Sequence, residues 1–375
     1  MKKIGVLTMH RVCNFGSVLQ SFALQRKLHD IGVENKIIDF IFPPYTAKSK
    51  ASLIKTLFIN VIDFLCGSPK RISKNRFKIF IKDNLLLTEK SYNSQTLAEC
   101  PPIFDAYLTG SDQVWNPTFI KEDTTFLLSF VPNQVPRASY ASSFAIDELP
   151  NLYKKIYADE LNKFARISVR ERSGVKIVKD LIHKDSKMVC DPTLLLEKAE
   201  WDNIAEKSSL ELKKKYILVY ALSYMYNPYP HIYHIVENVQ KELGNLEVVY
   251  LIGQKSDIFR HKSRLIKNAG PYEFVYLFKH AEFVITTSFH GTVFSLIYGK
   301  PFYSVVQSLN SLDGRMPSLL SEVNCISSLI NYDTRYIPCK NVLLSLKCDN
   351  NSLIRLREES LEELRSIINA ISVNL

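Results

Sequence analysis

The chain has 375 residues, 46% of them hydrophobic and 23% charged, and a formal net charge of +10. This length exceeds what one hydrophobic core usually supports, so two domains are expected, and the ordinary composition argues against extensive disorder. The positive charge favours anionic partners: phosphorylated substrates, an anionic membrane face or nucleic acid.

Basic residues cluster at 48–90 and again at 255–267. Neither cluster has a zinc-finger spacing or an RNA-binding aromatic signature, so no nucleic-acid partner is expected. The first cluster lies on amphipathic, helix-like sequence at 53–59 and 71–82, which fits peripheral contact with the inner face of a membrane. A solvated helix face is the more common outcome for such a pattern.

Seven cysteines are scattered through the chain without a C-x-x-C spacing. Their odd number argues against a disulfide framework, and their spacing argues against a structural zinc site, as expected in a reducing compartment. No Asp, Glu or His cluster has the pattern of a metal site. No segment resembles a signal peptide, and the most apolar run, 51–66, is interrupted by Lys55, Asn60 and Asp63. We therefore expect a cytoplasmic protein.

The first half of the chain alternates strands and helices. Strands are predicted at 3–8, 34–40, 106–109, 137–141, 167–169 and 187–190, and helices at 16–31, 149–164 and 173–181. A break follows at Asp191-Pro192 and in the polar stretch 197–215.

A second series then begins. Strands are predicted at 216–222, 246–252, 283–286 and 302–306, and helices at 232–243, 272–280, 291–298, 316–323 and, at the end, 352–370. The two series predict an α/β protein with two Rossmann-like, doubly wound domains that face each other across a cleft. The expected domains are 1–196 and 197–350, with a C-terminal helix at 351–375 that packs back.

The junction after the predicted strand 283–286 carries the strongest functional signal. It reads Thr286-Thr287-Ser288-Phe289-His290-Gly291-Thr292-Val293 and leads directly into a helix. Unpaired N–H groups and the helix dipole attract anions at such a junction, and a histidine there can move a proton near neutral pH. A glycine lets a ligand approach the backbone. The alternative is a capped helix with an incidental histidine, and the clustering of these residues favours function.

Three loops of the first domain follow predicted strands and should meet at the same cleft. Loop 10–17 resembles a substrate loop but lacks the glycine pattern of a dinucleotide site or a phosphate loop. Loop 109–117 carries Gly, Asp, Gln, Trp and Asn, which suit carbohydrate; an ordinary polar turn with a core Trp115 is an equal alternative. In loop 168–174, Arg170 could grip a carboxylate or phosphate, or form an ion pair with Glu171 or another acid.

Six motifs in this order resemble those of polysaccharide pyruvyl transferases, over residues 3–330. They are Asn14-Phe15-Gly16-Ser17-Val18-Leu19-Gln20, Gly110-Ser111-Asp112-Gln113-Val114-Trp115-Asn116, Tyr140-Ala141-Ser142-Ser143-Phe144, Ser168-Val169-Arg170-Glu171, Cys190-Asp191-Pro192-Thr193-Leu194-Leu195 and Ser288-Phe289-His290-Gly291-Thr292.

The resemblance implies a glycosyltransferase-B-like pair of domains, with the acceptor on the N-terminal side and the donor on the C-terminal side. It implies transfer of pyruvate from phosphoenolpyruvate to two hydroxyls of a sugar, as a ketal, during exopolysaccharide or capsule synthesis. The acceptor would be a sugar or a lipid-linked oligosaccharide, and phosphoenolpyruvate would serve as co-substrate without any cofactor. Two alternatives stay open: a glycosyltransferase that uses a nucleotide sugar, and a non-catalytic glycan-binding member.

The resemblance also assigns roles to residues. The family's histidine maps onto His290, and its anion-binding arginine maps onto Arg170, which would bind the donor's anionic end. The chemistry of the reaction then makes His290 the expected general acid and Asp112 the candidate that orients or deprotonates an acceptor hydroxyl. The amide groups of Gly291 and Thr292 would help to hold the donor. The substrate-binding candidates are Asn14, Gly16, Ser17, Gln20, Gly110, Ser111, Gln113, Trp115, Asn116, Ser143, Glu171, Ser288, Phe289, Gly291, Thr292 and Arg315.

The chain departs from the family pattern at two positions. Ser288 stands where the better-understood members have Arg, and Ala145 stands where many relatives have Gly. Arg172, Arg264 or Arg315 could replace the missing charge. Arg315 is preferred, because the loop 313–315 follows the strand 302–306 and should open on the same edge of the sheet as Ser288.

Overall fold

The computed structural model describes residues 3–42, 68–223, 226–254, 263–309 and 314–372. The N-terminal half forms a seven-stranded parallel sheet in the order β3-β2-β1-β4-β5-β6-β7. Its strands are β1 (Lys3–Leu7), β2 (Glu34–Phe40), β3 (Leu87–Tyr92), β4 (Ala106–Thr109), β5 (Arg137–Ser142), β6 (Arg166–Val169) and β7 (Lys187–Met188). The central strands β4 and β5 are buried throughout, as strands covered by helices on both faces must be.

The C-terminal half forms a six-stranded parallel sheet in the order β10-β9-β8-β11-β12-β13. Its strands are β8 (Tyr216–Tyr220), β9 (Glu247–Leu251), β10 (Ser263–Ile266), β11 (Phe283–Thr286), β12 (Phe302–Val306) and β13 (Leu329–Asn331). Both strand orders reverse beside the first strand of their half, β1 or β8, which is the doubly wound pattern. The predicted α/β fold class is confirmed.

Fourteen α-helices cover the two sheets within the described residues. They are α1 (Phe15–Asp30), α2 (Pro69–Asn84), α3 (Ser94–Glu99), α4 (Pro117–Ile120), α5 (Asn151–Leu161), α6 (Arg172–Ile182), α7 (Pro192–Leu195), α8 (Lys198–Ala205), α9 (His231–Glu242), α10 (Pro271–His280), α11 (Phe289–Ile297), α12 (Arg315–Glu322), α13 (Lys340–Ser345) and α14 (Asn350–Ser372). In this part of the chain, none of the helices is long and apolar enough to cross a membrane.

Several predicted elements differ from the observed ones. The polar stretch 197–215 contains α8, whose Trp201 is fully buried against Phe22 and Phe294. The strands β3, β10 and β13 were not predicted. The predicted helix at 71–82 is part of α2, whereas the amphipathic segment 53–59 lies outside the described residues.

The long helix α14 packs back on the first sheet, as predicted. Its Glu363 accepts hydrogen bonds from Arg166 Nε and Nη2, at 2.5 and 2.7 Å. Its Ser360 Oγ accepts one from the backbone N–H of Cys190 at 2.9 Å, and Arg357 donates to the carbonyl of Leu194 at 2.6 Å. The helix thus comes after the second sheet in sequence, but it hydrogen-bonds to Cys190 and Leu194, on either side of Asp191 in the chain.

Helix α2 and the start of α1 bind the two halves together. Ser73 Oγ donates to the carbonyl of Ala269 at 2.6 Å, and Arg76 Nη1 donates to that of Asn268 at 3.0 Å. Phe15 stacks on Phe274 with 4.7 Å between ring centroids. These contacts bring α1 and α2 of the first half against the second half near the start of α10. The proposed domain boundaries lie between and after the two sheets, and they stay a prediction.

Candidate active site

Loops from both sheets meet in a cluster of three buried polar side chains: Arg170, Asp191 and His290. Arg170 follows β6, Asp191 follows β7, and His290 lies in the first turn of α11 after β11. Arg170 Nη1 donates to Asp191 Oδ2 at 2.7 Å, and His290 Nε2 lies 3.5 Å from the same oxygen. The exposed fractions of these residues are 2%, 1% and 7%. The carboxyl edges of the two sheets therefore share one site, here called the buried cluster.

Arg170 has hydrogen-bonding capacity left over. Its Nη1 is bound to Asp191 and lies 3.4 Å from Ser111 Oγ, but its Nε and Nη2 are buried without a hydrogen-bond partner among the described residues. Nη2 lies 3.7 Å from Asp112 Oδ1. The guanidinium also covers the Phe289 ring, at 4.4 Å from its centroid. Because unpaired buried donors are costly, this edge of Arg170 is suited to an anion supplied by a ligand.

Asp191 was quoted among the family motifs, but no role was predicted for it. Its Oδ1 accepts hydrogen bonds from Thr193 N and Oγ1, at 3.0 and 2.7 Å, and its Oδ2 accepts one from Ser111 Oγ at 3.0 Å. Burial alone would favour the neutral acid, but His290, Arg170 and Thr193 outweigh it and hold the pKa of Asp191 well below its ordinary value. Asp191 is therefore an anion at any pH near neutrality, and it stabilises positive charge on its neighbours.

Gly16, the second residue of α1, brings the first domain into contact with His290. A Cβ atom on Gly16 would lie 1.9 Å from His290 Nδ1 and 2.3 Å from its Cγ. Only glycine permits this contact, so Gly16 acts on the histidine rather than directly on a ligand. His290 Nε2 has no hydrogen-bond partner within the described chain, which leaves it able to meet a substrate.

Asp112 lies beside the buried cluster. Ser17 Oγ donates a short hydrogen bond to its Oδ2, and the backbone N–H of Gln113 donates to its Oδ1 at 2.8 Å. Its φ of 81° is in the left-handed region, where a non-glycine residue costs energy, and functional sites often retain such strain. Asn14 caps α1 through Ser17 N at 3.3 Å. The predicted residues Ser17, Ser111 and Asp112 thus lie together on one side of Arg170.

Glu171, the next residue after Arg170, is fully buried. Glu171 Oε1 accepts hydrogen bonds from the backbone N–H groups of Phe144 and Ala145, at 2.8 and 3.2 Å. Burial raises the pKa of this carboxyl, and Arg170 and Arg315 oppose the increase only in part. The alternative of an ion pair between Arg170 and Glu171 or another acid is therefore confirmed, with Asp191 rather than Glu171 as the acid.

Ala145 explains one departure from the family pattern in physical terms. Its φ is 53°, in the left-handed region that favours glycine, so this chain tolerates a strain that relatives with Gly avoid. Ser143, which lies just before it, has a buried hydroxyl without a hydrogen-bond partner among the described residues.

Arg315 was predicted in a loop, but it is the first residue of α12 and is buried. Its guanidinium lies 5.8 Å from the centroid of the Phe289 ring, the same ring that Arg170 covers. Arg172 is largely exposed and pairs with Glu322, and Arg264 pairs with Glu247 beside the edge strand β10. Of the three arginines considered as substitutes, Arg315 is the one that lies near Phe289, the ring that Arg170 covers.

The start of α11 corrects two predicted roles. Ser288 caps the helix: its Oγ accepts from the N–H of Gly291 at 3.4 Å, and its carbonyl accepts from that of Thr292 at 3.0 Å. These two N–H groups are therefore not available to a donor substrate, and those of Phe289 and His290 are the first-turn groups without a helical acceptor. A Cβ on Gly291 would lie 2.2 Å from Thr286 Oγ1, so this glycine serves helix packing rather than ligand approach.

Other predicted substrate-binding residues are structural. The Trp115 indole is fully buried, donates to the carbonyl of Phe126 at 3.0 Å and packs on Phe144, so its predicted stacking on a sugar is wrong. Gln20 Nε2 is buried and bonds to Thr8 and Ser17. Gln113, Asn116 and Gly110 are also buried. Asn116 Nδ2 donates a hydrogen bond to Gln113 Oε1, and Gly110 packs against Leu24.

The sequence was compared with known proteins. The family model described as polysaccharide pyruvyl transferase matches residues 14–308, which include every residue of the buried cluster. The chain belongs to this family. None of the curated proteins compared with it matches.

Two solved structures similar to this member of the family are described as UDP-N-acetylglucosamine 2-epimerases. The UDP-GlcNAc 2-epimerase of Methanocaldococcus jannaschii has a TM-score of 0.56 and 14% identity, with 98% of this chain and 99% of that chain covered. A putative UDP-N-acetylglucosamine 2-epimerase of Listeria monocytogenes has a TM-score of 0.52 and 10% identity, covering 99% and 90%. At such low identity the likeness establishes the glycosyltransferase-B-like fold alone, and family and fold together indicate a transferase.

The described residues of this transferase contain no group of three or more His, Cys, Asp and Glu that could hold a metal ion. The structure places three side chains around Asp191 and the Phe289 ring. They are His290, which contacts the ionised carboxylate of Asp191, and Arg170, whose Nε and Nη2 have no hydrogen-bond partner among the described residues. The third is Arg315, which lies over the Phe289 ring, as Arg170 does.

Proposed function

We propose that this protein transfers pyruvate from phosphoenolpyruvate to two hydroxyls of a sugar, as a cyclic ketal, in the synthesis of an exopolysaccharide or capsule. The acceptor is a free or lipid-linked glycan, and phosphoenolpyruvate is the co-substrate. The observation that supports this most is the edge of Arg170 formed by Nε and Nη2, which is buried without a hydrogen-bond partner among the described residues, while Arg170 and His290 contact the same oxygen of Asp191. Family membership makes the same reaction the first to test.

The donor would be bound through its anionic groups. The carboxylate of phosphoenolpyruvate fits the Nε and Nη2 atoms of Arg170 as two parallel hydrogen bonds. Its phosphate would meet Arg315 and the first-turn N–H groups of α11, where the helix dipole is positive. Arg170 Nη1 is already bound to Asp191. This contact balances the charge of the guanidinium and also fixes its orientation.

The reaction needs a proton at the methylene carbon. Protonated His290 would donate it, which makes the adjacent carbon electrophilic, and Asp191 would stabilise the imidazolium before transfer. One sugar hydroxyl oxygen then bonds to that carbon and its proton passes to a base, for which Asp112 is the candidate. The bond between this carbon and the phosphate oxygen then breaks, which releases inorganic phosphate. The second sugar hydroxyl bonds to the same carbon, loses its proton and closes the ring.

The test is phosphate release from phosphoenolpyruvate against a panel of free and lipid-linked glycans. His290→Ala should leave the fold intact and lower turnover by about 10²- to 10⁴-fold, the usual contribution of a general acid. Near-normal turnover in the folded variant would remove His290 from the mechanism.

A donor-binding experiment addresses the competing glycosyltransferase function. Phosphoenolpyruvate at about 100 times its Kd should stabilise the protein against thermal unfolding by roughly 2.7 kcal/mol, whereas UDP-GlcNAc should not. Stabilisation by the nucleotide sugar alone would instead favour a glycosyltransferase, and binding of phosphoenolpyruvate without phosphate release would favour a non-catalytic role.

A further inference from the structure

A second concave site lies over the carboxyl ends of β1 and β2. It is a pocket of about 400 Å³, and no predicted site residue lines it. Most of its wall is apolar, formed by Met9, Phe40, Ile41, Phe42, Phe77, Ile81 and Phe126. Such a wall suits a hydrocarbon chain rather than the hydroxyl groups of a sugar.

The polar side of the pocket is basic. Lys74 and Lys78, one turn apart on α2, line it, and both are exposed and make no ion pair within the described residues. Arg11 also lines it, but its guanidinium is bound in a fork to Asp39, which His10 contacts as well at 3.0 Å. The acidic charge nearby is thus already neutralised, and the two lysines remain open to an anionic ligand.

Cys13 lines the same pocket as Lys74 and Lys78 and lies within the range of their charge. Burial raises the pKa of its thiol, while the positive charges of Lys74, Lys78 and Lys70 oppose the increase. Three ammonium groups spaced four residues apart on one helix therefore direct their field at the same loop.

The pocket is joined to the buried cluster by the loop after β1. One end of this loop lines the pocket at Cys13, and the other end contacts His290 at Gly16. Phe77, in the pocket wall, packs on Phe15 with 5.1 Å between ring centroids. A ligand that extends along the carboxyl edge of the first sheet could occupy the pocket with one end and reach His290 with the other.

We propose that the pocket binds the lipid diphosphate end of the acceptor, so that the protein acts on a glycan linked through diphosphate to a long hydrocarbon chain. Lys74 and Lys78 bind the diphosphate, and the apolar wall takes the first carbons of the chain. The glycan then lies toward His290. This assignment deepens the proposed function and rests on it for the identity of the glycan, but the binding of the lipid diphosphate can be measured alone.

Calorimetric titration with farnesyl diphosphate tests the pocket directly, with inorganic diphosphate and farnesol as partial probes. The variant K74Q/K78Q should bind farnesyl diphosphate about tenfold more weakly, as expected for two exposed charge contacts. The matched control K213Q/K214Q removes the same charge from two exposed lysines outside the pocket and should bind normally. Equal weakening in both variants would show only a general charge effect and overturn the proposal.

The half-exposed Ile41 separates the hydrocarbon contact from the charge contact. Ile41→Asn should weaken farnesyl diphosphate severalfold and leave inorganic diphosphate unchanged. If inorganic diphosphate binds the wild-type protein as tightly as farnesyl diphosphate does, the pocket is a free phosphate site and the lipid assignment is wrong. The absence of saturable binding by farnesyl diphosphate would also refute it.

Kinetics distinguish failure of this proposal from failure of the proposed function. With a lipid-linked acceptor, K74Q/K78Q should raise the acceptor KM about tenfold and leave the KM for phosphoenolpyruvate unchanged. If no acceptor supports phosphate release but farnesyl diphosphate binding still depends on the lysines, the pyruvyl transfer is wrong and the pocket stands. If transfer occurs and the acceptor KM is unaffected by K74Q/K78Q, the pocket assignment is wrong and the reaction stands.

Discussion

Replacing Gly16 by Ala tests whether the first domain positions His290. The added Cβ would lie 1.9, 2.3 and 2.4 Å from three atoms of the imidazole ring. Ordinary contact needs about 3.5 Å, so the ring must move by roughly 1.5 Å. A shift of about 1 Å at a catalytic group can cost 10²-fold in rate. We expect kcat for phosphate release to fall by about 10²-fold or more, without loss of the overall fold.

Gly16→Ala should lower the stability of the protein when residue 290 is His and raise it when residue 290 is Ala. In the wild-type background the clash should destabilise the protein by about 1–3 kcal/mol, partly offset by about 1 kcal/mol because alanine is the better helix former. In the His290→Ala background the clash is absent, so Gly16→Ala should raise the melting temperature. It should also cause no further loss of turnover there, because the group that it displaces is gone.

The assay combines thermal unfolding with steady-state phosphate release for the wild type, both single variants and the double variant. A folded Gly16→Ala protein that keeps kcat within about threefold of wild type would refute the reasoning, since a ring displaced by this distance could not remain in register with the substrate. Destabilisation of the same size in both backgrounds would show that the clash is with another group.

Arg170→Lys keeps the charge but loses the fork, so the KM for phosphoenolpyruvate should rise while the acceptor KM changes little; unchanged kinetics with a lower melting temperature would make Arg170 structural. Arg315→Ala should weaken donor binding by about 1.5–3 kcal/mol, whereas the exposed control Arg172→Ala should not. Burial raises the pKa of Glu171, so the contribution of this carboxyl to wild-type stability is full below about pH 4.3 and is lost as pH rises through the raised pKa. Glu171→Gln should match wild type in acid and have the higher melting temperature at neutral pH.

Much of the fold could be predicted from periodicity, because the central strands are continuous apolar runs. The predicted bounds 34–40, 106–109, 283–286 and 302–306 are those of β2, β4, β11 and β12. The missed strands lie toward the edges of the sheets; β3 is the sequence LTEKSY, half of it exposed, and it lacks an apolar run. Edge strands pair on one side only, so their sequences need little hydrophobicity.

The general position of the site could be predicted from the carboxyl ends of the predicted strands. Parallel strands bring their carboxyl ends to one edge, so Arg170 and His290 could be expected near one cleft. Asp191 follows a predicted strand in the same way, and that signal could have identified it. Trp115 could not be assigned from its loop, because an indole beside polar residues suits a core as well as a sugar. Its burial depends on Phe144 and Phe126, which are distant in sequence.

The departure at Ser288 changes the source of positive charge around Phe289. Ser288 accepts a hydrogen bond from the N–H of Gly291 and so caps α11, which an arginine side chain cannot do because it has no acceptor. In this chain the second cation near Phe289 comes instead from Arg315, at the start of the neighbouring helix α12. An anion at the start of α11 would therefore still meet two guanidinium groups and the positive end of a helix dipole.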